Sequence, residues 1–143
     1  MKKDSFSRED TFALGMQMGR KAIAGDVLCL SGALGVGKTV FTQGFAKGLG
    51  INDTVSSPTF TIVQEYEGSR LPLYHFDVYR IADVEEMEEI DYVDYFYGDG
   101  VCLIEWADLI EEILPAKRTD IRIKKDMEKG FNYREITVTD IGK

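Results

Sequence analysis

The chain has 143 residues, of which 44% are hydrophobic and 29% charged, and its formal net charge is −8 at pH 7. This length predicts a single domain over residues 1–143, with the composition of an ordinary soluble globular protein. The acidic balance argues against tight binding of nucleic acid through a basic patch, and no apolar run approaches the roughly 18 residues of a membrane span. No apolar run follows the N-terminal residues as in a signal peptide, so we expect a cytoplasmic protein without membrane contact.

The two cysteines and the single histidine argue against a disulfide framework and against a zinc site. Cys29 and Cys102 stand inside apolar runs, at residues 27–30 and 101–104. Unpaired cysteines in such runs behave as small hydrophobic residues. We therefore expect both thiols to be buried in the core.

The first predicted elements are a helix, a strand and a second helix. Ser7 is a capping residue for a helix whose apolar positions extend to Ile23. Residues 27–30 form a continuously apolar run that is typical of a buried strand. A glycine-rich loop follows, and residues 38–49 show a helical pattern that ends at Gly50.

A hairpin and an acidic segment occupy the middle of the chain. Residues 59–66 and 71–76 are strand candidates, and the residues between them have hairpin spacing. Residues 83–100 hold eight carboxylates and no lysine or arginine, in a mostly helical pattern. This acidic segment has two interpretations: a solvated face, or a docking surface for a basic partner.

The remaining third returns mainly to strands. Residues 101–104 form a second apolar run, and residues 107–114 indicate a short helix closed by Pro115. Residues 121–125 and 135–139 predict a final antiparallel pair. Together the elements predict an α/β fold: a mixed sheet with a parallel centre, antiparallel additions and helices on both faces.

One motif carries the predicted chemistry. Residues 32–39 read Gly-Ala-Leu-Gly-Val-Gly-Lys-Thr, which matches the P-loop pattern G-x-x-x-x-G-K-[ST] between a strand and a helix. Glycines let the backbone turn its N–H groups toward phosphate oxygens, and the helix N-terminus adds its dipole. We expect Lys38 to reach the β- and γ-phosphates and the Thr39 hydroxyl to hold Mg²⁺. The motif therefore predicts a site for a nucleoside triphosphate with magnesium.

Two acidic residues at strand ends are candidates for catalysis. Glu105 directly follows the apolar run at 101–104, where doubly wound folds place their ligands. Asp77 ends the preceding strand candidate, in which it shares a face with His75. The alternatives are a solvated glutamate and, for Asp77, a local ion pair with Arg80. The residues leave open which acid completes the magnesium shell and which orients the attacking water.

Residues 56–61 place several hydroxyl side chains around Pro58, just before a predicted strand. A proline holds the residue before it in an extended conformation. One interpretation is a switch that offers a hydroxyl toward the γ-phosphate. The other is a plain transition from loop to strand.

Four segments together resemble the TsaE family, bacterial ATPases required to form threonylcarbamoyladenosine on tRNA. They are residues 30–39, residues 57–61 (Ser-Pro-Thr-Phe-Thr), residues 75–80 (His-Phe-Asp-Val-Tyr-Arg) and residues 103–106 (Leu-Ile-Glu-Trp). The resemblance covers nearly the whole chain. It implies a P-loop NTPase fold that binds ATP and Mg²⁺ and hydrolyses ATP weakly alone. It also implies association with the TsaB–TsaD complex, so that tRNA is reached only through partners.

The resemblance assigns roles position by position. Lys38 matches the phosphate-binding lysine, and Thr39 matches a magnesium ligand. Asp77 and Glu105 match the acidic active-site positions, and we place Glu105 also at the metal. Trp106 matches the aromatic residue after the glutamate, either as core packing or beside the nucleotide or a partner. Lys38, Asp77 and Glu105 are thus the expected catalytic residues.

The resemblance implies further nucleotide contacts. Thr11 matches a threonine near the base, and Arg134 matches an arginine near the nucleotide. The expected nucleotide-binding set is Thr11, Gly35, Val36, Gly37, Lys38, Thr39, Val40 and Arg134. This chain has Ala33 and Val40 where the family commonly has aspartate and threonine, and these departures bear on the efficiency of hydrolysis.

Three other classes of protein share parts of the pattern. A kinase of a small-molecule or nucleotide acceptor is expected to recruit arginines over the phosphates, whereas the acidic segment stands where a lid would fall. A regulatory GTPase needs the tetrapeptides N-K-x-D and D-x-x-G, and neither occurs in the chain. A module that binds nucleotide without hydrolysing it uses the same residues and stays an alternative.

Overall fold

The apolar run at residues 27–30 forms the central strand of one sheet in the computed structural model, which describes residues 1–33, 35–56, 58 and 61–143. This strand, β2 (Val27–Ser31), is buried over its first four residues because the sheet is covered on both faces there. It pairs in parallel with β5 (Val101–Glu105) and with β6 (Arg118–Lys125), and β4 (Leu73–Asp77) runs parallel to β5. The predicted parallel centre is confirmed.

Antiparallel strands complete the sheet at both edges, so that the described residues form seven strands. Their order is β1 (Lys2–Ser5), β7 (Arg134–Ile141), β6, β2, β5, β4 and β3 (Val63–Tyr66). The strand β3 (Val63–Tyr66) pairs with β4, and β7 (Arg134–Ile141) pairs with β6. The outermost strand, β1 (Lys2–Ser5), pairs with β7. The sequence pattern does not predict β1, because its polar residues lack apolar alternation. Backbone pairing holds it instead, and the α-amino group of Met1 donates a hydrogen bond to the Val138 carbonyl at 2.9 Å.

Two helices cover the first face of the sheet. The helix α1 (Arg8–Lys21) begins after Ser7 as predicted, and the Ser7 hydroxyl accepts a backbone N–H from the first turn at 3.1 Å. The helix α2 (Lys38–Gly48) follows the glycine-rich loop and buries Phe41 and Phe45 in the core. The loop is therefore anchored between a buried strand and a buried helix.

The backbones of α1 and α2 approach each other closely because glycines line their contact. A Cβ atom at any of four glycines would overlap a backbone carbonyl oxygen of the facing helix: Gly15, Gly19, Gly44 and Gly48. The buried positions of α1 are accordingly Thr11, Gly15 and Gly19. The face of α1 that contacts α2 is thus made of small residues rather than of large apolar ones.

The end of α1 corrects the predicted helix. Ile23, expected as an apolar position of that helix, lies beyond its last residue and is 66% exposed. The chain leaves the helix at Ala22 and makes a turn in which the Asp26 carboxylate accepts the Ile23 amide N–H at 2.9 Å. The local turn thus determines the position of Ile23 more strongly than its hydrophobicity does.

Short helices cover the second face. They are α3 (Glu85–Glu89), α4 (Tyr92–Phe96) and a 3₁₀ helix (Ala107–Ile113), which bury Met87, Phe96 and Ile110. A further 3₁₀ turn (Met127–Lys129) lies between β6 and β7. Helices on both faces are therefore confirmed, although the predicted helix at residues 107–114 is of the tighter 3₁₀ type, with a non-helical Ile110 inside it.

Other predicted strands shift at their ends. The strand candidate at residues 59–66 is observed from Val63 onward, and Thr59 and Phe60 lie outside the described residues. The candidate at 71–76 is observed as β4. The candidates at 121–125 and 135–139 lengthen to β6 and β7 because backbone pairing continues past their apolar residues.

Both cysteines are free and buried, as predicted. Burial raises the pKa of Cys29 to about 12, with the negative charge of Asp120 adding to the effect, and burial raises the pKa of Cys102 to about 12. Below that pH both groups are neutral thiols, and the thiolate is the reactive form.

We expect iodoacetamide at pH 8 to leave both cysteines of the folded protein unmodified, as measured by intact mass. Guanidinium-unfolded protein should gain two adducts, and rapid labelling of folded protein would contradict the burial.

No helix within the described ranges is long and apolar enough to cross a membrane.

Candidate nucleotide site

The glycine-rich loop carries the chain from the carboxyl end of β2 to the start of α2. Gly35 and Gly37 have φ angles of +75° and +113°, in the region that residues with a Cβ rarely adopt. Gly37 is a fixed position of the motif, whereas Gly35 is not. The backbone conformation explains why glycine stands at both places.

Among the residues that the structure describes, no side chain caps the first turn of α2. Gly37 precedes the helix and offers no side-chain acceptor to its amide groups, unlike Ser7 in front of α1. Unpaired amides at a helix N-terminus, together with the helix dipole, attract anions. Lys38 and Thr39 are the first two residues of α2, and Thr39 is exposed. The two residues expected at the phosphates and the magnesium therefore lie at a positively polarised helix end.

Lys38 and Glu105, identified from separate segments, lie side by side. The Lys38 Nζ is 3.7 Å from Glu105 Oε1, and the two side chains are only 10% and 8% exposed. The same Nζ lies 5.2 Å from the centre of the Trp106 ring. Little solvent screens the two charges, so the Coulomb attraction between them is stronger than in an ion pair on the surface. The structure thus joins the P-loop lysine to the acid at the end of the neighbouring strand.

Trp106 contributes both to the core and to the surroundings of Lys38. Its φ of +64° turns the chain sharply after β5, and its ring packs at the edge of the core of the second face. Tyr79, which is 61% exposed, contacts this ring with the centroids 4.8 Å apart. The Trp106 ring therefore contacts both the Lys38 ammonium and the exposed Tyr79 ring.

The two predicted acids end neighbouring strands. Asp77 and Glu105 are partners in the parallel register of β4 and β5. The Asp77 carboxylate accepts the Tyr79 amide N–H at 3.0 Å, and its side chain is partly exposed. Glu105 is 6% exposed. Because the carboxyl ends of parallel strands meet at one edge, both acids lie at the edge where β2 delivers the loop.

His75 joins this group, although sequence reasoning gave it no role. Its Nε2 is 3.0 Å from Glu105 Oε2, and the residue is 2% exposed. His75 and Glu105 are not register partners, because Asp77 holds that place. The contact therefore depends on the reach of the side chains from adjacent strands. Alternation along β4 places His75 and Asp77 on one face, and His75 also begins the family-like segment at residues 75–80, but neither signal indicates a contact with Glu105.

A cavity of about 200 Å³ adjoins the glycine-rich loop. Most of the predicted nucleotide-binding set lines it: Thr11, Gly35, Val36, Gly37, Val40 and Arg134. Ser7, Arg8 and Asn132 also line the cavity and were missed, since no motif marks them. The volume is below the roughly 300–1,000 Å³ of drug-sized ligand pockets, so the cavity suits one part of a nucleotide.

Arg134 and Thr11 each contact protein groups beside this cavity. The Arg134 Nε donates to the Val36 carbonyl at 2.7 Å, and its Nη1 donates to the Tyr133 carbonyl at 2.7 Å. The Thr11 hydroxyl hydrogen-bonds the Ser5 hydroxyl at 2.7 Å. Arg134 thus ties the glycine-rich loop to the start of β7. Direct contact of either residue with a nucleotide stays a prediction.

Half of the segment for which a switch was one interpretation, residues 56–61, lies outside the described residues, which omit Ser57, Thr59 and Phe60. In the described part, the Thr61 hydroxyl donates to the Val63 carbonyl at 3.1 Å. That contact does not distinguish a switch from a plain loop, and both interpretations stay open.

The fold and the loop define the class of protein. A glycine-rich loop leads from a central parallel strand into a helix, and an acid ends the adjacent parallel strand. This arrangement is that of the P-loop α/β proteins. Within that class the chain belongs to the TsaE family, whose model, described as "Threonylcarbamoyl adenosine biosynthesis protein TsaE", matches residues 5–136.

Individual relatives agree with this family. The chain is 54% identical over 134 residues to the tRNA threonylcarbamoyladenosine biosynthesis protein TsaE of Bacillus subtilis, covering 94% of this chain and 82% of that one. It is 43% identical over 134 residues to the protein of the same name from Treponema pallidum, covering 94% and 96%. A crystal structure of Bacillus subtilis YdiB superposes with a TM-score of 0.79 at 46% identity, covering 99% of this chain and 86% of that one. The likeness therefore extends over fold and sequence together.

Proposed function

We propose that the chain binds ATP with Mg²⁺, hydrolyses it slowly, and thereby supports threonylcarbamoyladenosine formation on tRNA. The observation that carries the proposal is the contact between Lys38 and Glu105 at the uncapped start of α2, in a member of the TsaE family. A lysine, an uncapped helix and a buried acid are the groups that phosphoryl chemistry needs in one place.

The protein groups present suit a magnesium nucleotide. Backbone amides of the loop and of the first turn of α2 would hold phosphate oxygens, with Lys38 as their counter-charge. The Thr39 hydroxyl and the Glu105 carboxylate are hard oxygen ligands of the kind that Mg²⁺ prefers. When bound, the metal supplies charge neutralisation at the phosphates.

Asp77 is suited to orient the attacking water. It ends the strand beside Glu105, and its Oδ1 accepts a backbone N–H. In this proposal its Oδ2 acts on a water molecule. We therefore place Glu105 at the metal and Asp77 at the water. This assignment answers, as a proposal, the question that the residues alone left open.

The base would lie in the cavity lined by Thr11 and Arg134. That cavity is lined by loop residues but not by Lys38, and its size suits a base rather than a whole nucleotide. Phosphates at the start of α2 and a base in this cavity would place the nucleotide across the loop. The proposal thus gives Thr11, Val40 and Arg134 contacts with one end of the ligand.

The partners would be the TsaB–TsaD complex, with tRNA reached only through them. Support comes from the family and from the charge of the chain, since a net charge of −8 opposes direct binding to a polyanion. The acidic segment at residues 83–100 is compatible with a basic partner surface and equally with a solvated face. We propose a cytoplasmic setting, where tRNA is modified.

One experiment tests the proposal. Phosphate release from Mg-ATP is measured for the purified chain alone and with TsaB–TsaD, and tRNA modification is measured with and without the chain. We expect slow release by the chain alone and tRNA modification that depends on it. Transfer of phosphate to a small acceptor would replace the proposal with a kinase. Nucleotide binding without any phosphate release would replace it with a sensor module.

A further inference from the structure

His75 is a buried polar residue to which the proposed function gives no task. It lies in β4 two residues before Asp77, and only 2% of it is exposed. Burying an imidazole is unfavourable unless its nitrogens find partners. Its retention within a core strand therefore needs a compensating interaction.

That interaction is with Glu105, through one nitrogen only. Nε2 lies 3.0 Å from Glu105 Oε2, whereas Nδ1 is buried without a hydrogen-bond partner among the described residues. A carboxylate is an acceptor, so Nε2 must carry the proton and donate it. A proton on Nδ1 would leave a buried donor unpaired, which costs more than an unpaired lone pair. The geometry therefore favours the tautomer protonated on Nε2.

The two carboxylate oxygens of Glu105 lie next to different side chains. Oε2 faces the His75 ring, and Oε1 lies 3.7 Å from the Lys38 Nζ. A carboxylate on a flexible side chain has several rotamers, and a hydrogen bond from a rigid, packed ring restricts them. Groups that orient a metal ligand in this way commonly change metal affinity or activity by 10–100-fold when replaced.

We propose that His75 is a positioning residue: its Nε2–H holds Oε2 of Glu105, so that Oε1 is presented to Lys38 and to the magnesium side of the site. The proposal rests on the proposed function in its assignment of Glu105 to the metal. It adds that a neighbouring strand sets the orientation of this acid.

A ligand-free measurement tests the hydrogen bond. His75 is the only histidine, so ¹⁵N-histidine NMR of the tag-free chain reports on this ring without further assignment. We expect a pyrrole-like shift for Nε2 and a pyridine-like shift for Nδ1. The Glu105→Gln variant should weaken this preference. A proton on Nδ1, or averaged shifts like those of a free imidazole, would overturn the proposal whatever the protein hydrolyses.

Two substitutions test the consequence. His75→Gln keeps an N–H donor at the same number of bonds from the backbone, whereas His75→Leu keeps an apolar side chain and no donor. We expect the leucine variant to need about 10–100-fold more Mg²⁺ for half-maximal phosphate release, with the KM for ATP at saturating Mg²⁺ changed far less. The glutamine variant should recover most of that loss.

Leu73→Val is the matched control, because Leu73 is fully buried on the same face of β4 two residues earlier. It should lower Tm without changing the Mg²⁺ requirement. Unchanged Mg²⁺ dependence in His75→Leu, beside an active wild type and an impaired Glu105→Gln variant, would overturn the role of His75 alone. Absence of phosphate release by the wild type would instead overturn the proposed function, while the NMR result would still decide the hydrogen bond.

Discussion

Replacement of Glu105 by glutamine is expected to lower the kcat of ATP hydrolysis about 10²–10³-fold, the loss typical of removing one preorganised electrostatic group. The amide keeps the size of the carboxylate but removes its charge, so Lys38 loses the partner 3.7 Å away and the magnesium loses an anionic ligand. Steady-state phosphate release over a range of Mg²⁺ concentrations measures the effect. Glu112→Gln is the matched control. Glu112 is an exposed glutamate in the 3₁₀ helix after β5, so its replacement should leave the rate of hydrolysis unchanged.

Comparison with Asp77→Asn separates the two acids. If Glu105 holds the metal, high Mg²⁺ should recover part of the activity of Glu105→Gln. If Asp77 orients the water, its asparagine variant should bind Mg-ATP normally and stay slow at every Mg²⁺ concentration. The reverse pattern would exchange the two roles, and full activity of Glu105→Gln would remove Glu105 from the site.

The parts of the site that sequence could predict are those encoded within one short segment. The loop from Gly32 to Thr39 is recognisable because its phosphate chemistry fixes residue types at fixed spacing. Glu105 is recognisable because it directly follows an apolar run. Neither inference needs knowledge of how distant segments pair, and the structure places Lys38 3.7 Å from Glu105.

The parts that sequence could not predict depend on distant segments. The cavity beside the loop combines α1, the loop and the start of β7, so Ser7, Arg8 and Asn132 carry no local signal. The hydrogen bond between His75 and Glu105 depends on the register of β4 and β5, and this register cannot be predicted from the pattern of residues in either strand. The edge strand β1 is polar, and only its pairing with β7 makes it a strand. Each of these features is fixed by tertiary pairing rather than by propensity.

Gly44→Ala is the other substitution with a large expected effect. Replacing a helical glycine by alanine usually raises stability, whereas here we expect it to lower stability. In an ordinary helix interior, alanine is more stable than glycine by roughly 0.5–1 kcal/mol. At Gly44 the added Cβ would overlap the Phe12 carbonyl oxygen, which is backbone and cannot rotate away. Overpacking of this kind costs about 1–3 kcal/mol, so we expect the variant to be less stable than the wild type. The urea midpoint measures the change.

Lys47→Ala in the same helix is the control, since Lys47 is exposed and should change stability little. The loss at Gly44 should extend to function, because both α1 and α2 line the cavity, through Thr11 and Val40. Forcing the helices apart would widen that cavity and weaken nucleotide binding. Trp106 is the single tryptophan and its ring centre lies 5.2 Å from the Lys38 Nζ, so its fluorescence can measure nucleotide affinity. A Gly44→Ala protein more stable than the wild type would show that the helices do not pack backbone to backbone. An unchanged nucleotide affinity in a destabilised variant would show that the contact between the helices does not control nucleotide binding. It would also contradict the placement of the base in this cavity.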